Sequence, residues 1–258
     1  MAVLTYHHPP RNFLTFHGLA ELGNRLGDLA EDDSVRVVVL ESAVPSFFAA
    51  HADLDELAGL AVGAPPEARA WCDTFRRIED IPQPVVVAID GQAWGGAVEL
   101  SLSATFRIAS ERAHFRLPEI GLGFLPGAGV TRRLSRLLGA RAAAGVVLSG
   151  RVIDAEEALR LGLVQRVLPT ATFAADVLDL AEQMAVFPRA ELAAGKEAII
   201  QGEQLPVSDG LKLEGRLFAE LLRQTESRAL DAAVRHADEI ASGRTHVAFG
   251  DLRVQVSR

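Results

Sequence analysis

Apolar residues at Leu19, Leu22, Leu26 and Leu29 recur every three to four positions, which predicts an amphipathic helix over Phe16 to Leu29. Other apolar segments are short and uninterrupted. Val35 to Leu40 (VRVVVL) and Pro84 to Ile89 (PVVVAI) are rich in β-branched residues, as expected for strands covered on both faces. Val3 to Tyr6 and Phe106 to Ala109 read as further strands, and Leu134 to Leu138 and Ala140 to Leu148 as helical. Strands alternating with helices predict a largely parallel α/β arrangement. Asp154 stands at an N-cap position with Glu157 three residues on, the pattern of a capping box, and Gly162 falls where that helix should stop. From about Ala174 onward strand signals disappear; AADVLDLAEQMA, AELAAGKEAII, LEGRLFAELLRQ and ALDAAVRHADEIA all read as helices. Pro45 to Pro82 has loop character around Gly63 to Pro66 and is a candidate binding segment.

Composition narrows the function classes. With 258 residues, 49% apolar and 23% charged, the chain can bury a large core. A net charge of -8 argues against a generic nucleic-acid or anionic-membrane binder. The lone cysteine, Cys72, cannot form an intrachain disulfide and reads as a small buried hydrophobe. The N-terminus turns polar before it builds a secretory core, and no apolar run reaches the ~20 residues of a membrane span. A cytoplasmic protein is expected. Adjacent His7 and His8 point apart on a strand, with no ligand spacing nearby, so no metal is expected. The run GLGFLPGAG lacks dinucleotide spacing and a following Walker lysine, so no nucleotide or redox cofactor is expected.

One stretch poses a chemical question. In GQAWGGAVEL, adjacent Gly95 and Gly96 follow a β-branched run, and Glu99 stands alone among Ala97, Val98, Leu100 and Leu102. A strand that turns through glycine into a helix presents unpaired N–H groups that can hold an oxyanion, with Glu99 one turn further along. Close helix-strand packing with a solvated Glu99 is the alternative, and the local pattern leaves both open. A second acid, Glu119, follows Pro118; spacing alone does not say whether the two meet. Two carboxyls in one pocket would split into a proton donor and a base.

The motifs PVVVAIDGQAWGGAVELSL, FRLPEIGLGFLPGAGVTRRL and LSGRVIDAEEALRLGLVQRV, in that order and preceded by FFAAHADL, resemble the enoyl-CoA hydratase/isomerase (crotonase) superfamily from about Pro9 to Pro169. The resemblance implies a crotonase-like spiral of ββα units over residues 1–195 that carries the thioester site, and a helical C-terminal trimerisation region over 196–258. It implies an acyl-CoA thioester as substrate rather than cofactor, and a homotrimer or a dimer of trimers. By position, the N–H groups of Ala52 and Gly96 would hold the thioester oxygen, Glu99 would activate water, Glu119 would handle the proton at Cα, and the Gly127 N–H would help hold the water. Arg11, Ala50, His51, Ala52, Leu54 and Gly96 fall on CoA-contacting positions. Both acids together favour hydration of the 2,3 double bond. A Δ3,Δ2-enoyl-CoA isomerase using one glutamate or an enzyme of other crotonase-type acyl-CoA chemistry, and a non-catalytic acyl-CoA-binding or scaffold protein, are the rivals.

This chain departs from the family pattern at four places. His51 replaces a glycine, which implies strain if that position has positive φ and an imidazole that narrows the channel. Thr105 replaces an acid, Asp55 replaces a basic residue toward CoA, and the segment after about Gly202 lacks the usual pattern.

Overall fold

The two β-branched runs lie at the centre of a parallel sheet. In the computed structural model, which describes residues 1–60 and 62–224, β1 (Ala2–Tyr6), β2 (Val38–Ser42), β4 (Val85–Ile89), β6 (Phe106–Ser110) and β9 (Arg166–Leu168) form this sheet in the order β1-β2-β4-β6-β9. Residues on opposite faces of the strands belong to two cores. Val38, Leu40, Val85 and Val87 pack inward with Leu19, Leu26, Phe75 and Ile78, while Val37, Val39, Val86 and Ala88 pack with Phe173, Val177 and Ala181. Period-two alternation between two apolar environments is why these strands read as continuous apolar runs. The β2 ladder begins at Val38 rather than Val35, because Val35 closes a turn by donating to the Asp32 carbonyl at 3.1 Å.

A second sheet went unread in the sequence. It has the order β3 (Phe47–Ala49), β5 (Gln92–Trp94), β7 (His114–Arg116), β8 (Ile153–Asp154), parallel except for the antiparallel β7 and β8. Strands of two or three residues are too short to show a period. Each is nevertheless placed by its predecessor: β2, β4 and β6 pass, after two to four residues, into β3, β5 and β7. Helical segments follow each pair, giving the repeated ββα unit that the resemblance implies. They are α2 (Leu54–Leu60) and α3 (Arg69–Asp80) after the first pair, α4 (Gly96–Leu102) after the second, and α5 (Val130–Leu138) and α6 (Ala140–Ser149) after the third. Within the segment 45–82 the loop character expected around Gly63 to Pro66 holds at residues 63–65, between α2 and the short 3-10 turn Pro66–Ala68 that leads into α3.

The predicted amphipathic helix is α1 (Phe16–Ala30), capped by Thr15, whose side chain accepts from the Gly18 N–H at 3.0 Å. It packs on α3, where Thr74 donates to the Leu19 carbonyl at 2.7 Å beside buried Phe75 and Ile78. Cys72 lies on the outer face of α3 and is exposed, contrary to the expectation of a buried hydrophobe; the inward stripe of that helix is Thr74, Phe75 and Ile78. Asp154 caps α7 (Ala155–Leu161) by accepting from the Glu157 N–H at 2.8 Å, and Gly162 ends it in the left-handed region. The reciprocal half of the capping box is absent, because two guanidinium nitrogens of Arg151 engage the Glu157 carboxylate at 2.5 and 2.6 Å.

The chain divides into two compact units, Met1–Ala193 and Ala194–Arg258. The first contains α8 (Phe173–Ala185) and the first turn of α9 (Arg189–Ile200); the second contains the rest of α9 and α10 (Val207–Gln224). The helix expected over ALDAAVRHADEIA lies outside the described residues.

Candidate active site

The adjacent glycines make room for two different side chains. Gly95 takes φ 52°, ψ -121°, a conformation that L side chains avoid, and its N–H donates to the Arg116 carbonyl on β7 at 2.8 Å. A Cβ there would stand 2.8 Å from Glu119 Oε1, and one on Gly96 would stand 2.6 Å from the Trp71 indole. The first glycine admits an acid and the second an aromatic ring. Glu99 then falls in the first turn of α4, a helix buried along its whole length, and is only 3% exposed.

Three groups surround the Glu99 carboxyl. The Trp71 indole N–H donates to Oε2 at 3.1 Å, Oε1 faces Gly127, and Glu119 is close enough for its charge to be felt. Burial is the dominant influence and pushes the Glu99 carboxyl up to about 7. The indole N–H opposes this, the Glu119 charge adds to it, and the Gly127 N–H and the Arg133 guanidinium draw it back.

Glu119 opens a 3-10 turn, Glu119–Leu122, that stops at left-handed Gly123. It is 7% exposed, and burial raises its carboxyl above the ordinary range. Oε2 is buried with no hydrogen-bonding partner among the described residues. A buried carboxyl oxygen without a partner is costly and is free to meet a ligand.

The Ala52 segment is pinned from one side. Leu14 donates to the His51 carbonyl at 2.9 Å and accepts from the Asp53 N–H at 2.8 Å, which turns the Ala52 N–H away from Leu14. Neither the Ala52 nor the Gly96 N–H is taken by a backbone acceptor among the described residues. Leu14 touches both residues' surroundings, its Cδ1 lying 3.4 Å from a Cβ built on Gly96. Ala50 donates to the Arg11 carbonyl at 3.0 Å, while the Arg11 side chain and Leu54 at the start of α2 are exposed.

His51 is not among the residues with positive φ, so the expected strain is absent. Its ring leans on Phe13 at 4.9 Å between centroids, and its Nδ1–H donates to the Ala52 carbonyl at 2.6 Å. Thr105 has a structural use: its hydroxyl accepts from the Val85 N–H at 3.2 Å at the start of β4.

Three contributors escaped the sequence reading. Trp71 shares α3 with buried Phe75 and Ile78 and reads as core; its indole nitrogen was the one signal of another role. Arg133 binds Glu79 through two nitrogens at 2.6 and 3.0 Å and donates to the Ala128 carbonyl, holding the loop that contains Gly127. Asn12, fully buried at φ 58°, donates through Nδ2 to Ser42 Oγ and to the Tyr6 and Phe48 carbonyls, and Oδ1 accepts from the His8 N–H at 2.6 Å. It ties the residues before α1 to β2 and to the β3 end that leads into Ala52.

Two buried carboxyls, with main-chain N–H groups that have no backbone acceptor among the described residues, form a candidate acid-base site on the repeated ββα units. The sequence profile of the enoyl-CoA hydratase/isomerase family matches residues 1–237. The chain is 38% identical over 230 residues to the 2,3-dehydroadipyl-CoA hydratase of Escherichia coli, covering 88% of each chain. It is 34% identical over 225 residues to a short-chain-enoyl-CoA hydratase of Clostridium acetobutylicum, covering 85% of each. The crystal structure of an enoyl-CoA hydratase from Bacillus anthracis superposes with a TM-score of 0.82 at 34% identity over 96% of this chain and 95% of that one. This chain belongs to the enoyl-CoA hydratase/isomerase family. Among the described residues, no helix is long and apolar enough to cross a membrane.

Proposed function

We propose that this protein adds water across the 2,3 double bond of an enoyl-CoA thioester, and catalyses the reverse dehydration. The observation that carries the reading is the pair of buried carboxyls, Glu99 raised to about 7 and Glu119 raised beside it. The thioester oxygen is held by the Ala52 and Gly96 N–H groups, where enolate charge develops. The pair shares one proton, and in its reactive form that proton is on Glu119: Glu99, with the Gly127 N–H, orients a water and takes its proton as oxygen adds to Cβ, while Glu119 delivers a proton to Cα. One proton leaves water and one arrives at carbon, so the pair ends with its protonation exchanged. Isomerisation needs only one acid to carry a proton between two carbons, and the second buried carboxyl favours hydration. Arg11, Ala50, His51 and Leu54 line the thioester's approach in this reading. Exposed Leu122, Phe124 and Leu125 beside Glu119 would supply apolar surface for the self-association that the family resemblance implies, which sedimentation tests directly.

Incubation with crotonyl-CoA tests the reading. Hydration removes the conjugated thioester absorbance, so a steady fall is expected; a stable absorbance with tight CoA-thioester binding would leave a binding protein instead.

A further inference from the structure

The family reading gives Trp71 no task, yet it is the side chain in closest polar contact with Glu99. We propose that α3 is a positioning element for the acid on α4, acting through the Trp71 indole N–H on Glu99 Oε2 at 3.1 Å and, two turns on, through Glu79 and Arg133 on the Gly127 loop that meets Oε1. This rests on Glu99 as the base of the proposed hydration, but the contact itself is testable without turnover.

Three observations converge. The indole is locked in place: its ring meets Phe75 at 5.6 Å and Phe16 edge-on at 6.5 Å, and its six-membered ring fills the space that glycine leaves at position 96. The helix that carries it is fixed to α1 through Thr74 and through Arg77, which donates to the Gly23 carbonyl at 3.2 Å. The same helix carries Glu79, whose carboxylate binds Arg133 in a two-point pair that a lysine could not reproduce. One rigid element therefore reaches both oxygens of one buried carboxyl. With Oε2 committed to the indole, Oε1 is the oxygen left to meet water, and the rotamer of Glu99 is set before substrate arrives.

The other charged groups facing Glu99 are Glu119 from the 3-10 turn and Arg133 from α5. The indole is a neutral donor, so its removal changes a hydrogen bond without changing net charge. Trp71→Phe keeps an aromatic ring against Phe16 and Phe75 while deleting the N–H. A carboxylate that loses a donor is harder to ionise, so the acidic limb of kcat/KM for crotonyl-CoA should move to higher pH. On the acidic side, at pH 6, kcat/KM should fall on the order of tenfold, as expected when a charged acceptor loses a hydrogen bond, and should recover at pH 9. An equal loss at every pH would mean a structural role only and would overturn the proposal.

A second measurement separates this from the hydratase reading. The chain has two tryptophans, so in Trp94→Phe the emission comes from Trp71 alone. Its intensity should step with a midpoint of about 7, and the step should vanish when Glu99→Gln is added. Should Trp94→Phe fail to fold, the fluorine resonances of 5-fluorotryptophan incorporated into the unaltered chain report the same step. A step that depends on Glu99, in a protein inert toward crotonyl-CoA, sinks the hydratase reading and keeps the positioning contact. No step, or one that survives Glu99→Gln, overturns the positioning contact whatever the activity.

Discussion

Glu99 and Glu119 are the same functional group in two kinds of confinement. Glu99 sits in a regular helix, with an indole N–H on one oxygen and a glycine backbone beside the other. Glu119 sits in a single 3-10 turn, with one oxygen against Gly95 and the other buried without a partner. Burial raises both carboxyls, but only Glu99 has donors from other elements drawing it back. Sequence identity therefore does not set the role of an acid; the number and direction of donors around it do. The tethered acid is suited to hold a water in one geometry, and the unpartnered one is suited to hand over a proton.

The largest expected effect comes from erasing the difference. Glu99→Gln and Glu119→Gln should each lower crotonyl-CoA hydration by roughly 10²- to 10⁴-fold with the fold intact by circular dichroism. Full activity in either would remove that residue from the mechanism.

Next in size is a stability effect specific to the more deeply buried acid. Between its ordinary 4.5 and about 7, Glu99 holds a proton in the folded chain that the unfolded chain has lost. Stability should therefore fall as pH rises across that window, by roughly 3 kcal/mol for full ionisation above it. Glu99→Gln escapes this cost, so its gain in denaturation midpoint over the parent should be clear at pH 8 and absent at pH 4. A gain independent of pH would contradict the raised value.

Gly95→Ala attacks the other acid. It forces a side chain into φ 52° and a Cβ to within 2.8 Å of Glu119 Oε1, which should cost roughly 1–3 kcal/mol of stability and displace Glu119 while leaving the Trp71–Glu99 contact in place. Loss of hydration together with a Trp71 titration that persists and still depends on Glu99 is the expected pair of results.

Two smaller effects sharpen the contrast. Arg133→Met removes a charge that favours ionised Glu99 and frees the Ala128 carbonyl, so the acidic limb should move to higher pH with a several-fold loss at neutral pH. Glu119→Gln removes a repelling charge, so the Trp71 titration midpoint should move slightly to lower pH. A shift in the opposite direction would mean that the two acids do not share a cavity.

How much of this was legible varied with element length. The strand at 84–89 and the helix at 16–30 were readable because each buries a periodic or continuous apolar run. Strands such as QAW and HFR were not, since three residues carry no period and their positions follow from the longer strands before them. Cys72 was misjudged for the reverse reason: residue type suggested burial, and the helix face decided exposure. Glu157 illustrates the same limit, because an arginine six residues upstream took the carboxylate that local spacing assigned to a capping box.

By itself, the sequence determined the parallel α/β class, the glycine-opened helix at residue 96 and, through its ordered motifs, the pair of acids. Those features are local or lie in contiguous signatures. Only the tertiary structure decided that an indole from α3 would hold Glu99, that Arg133 would brace the facing loop, and that Asn12 would tie the approach to Ala52. Each of those contacts joins residues 28 or more positions apart, except those that Asn12 and Arg133 make close by, and their partners are chosen by packing rather than by spacing. The physical reason is burial: once a carboxyl leaves water, its ionisation is set by whichever donors the fold brings within about 3 Å.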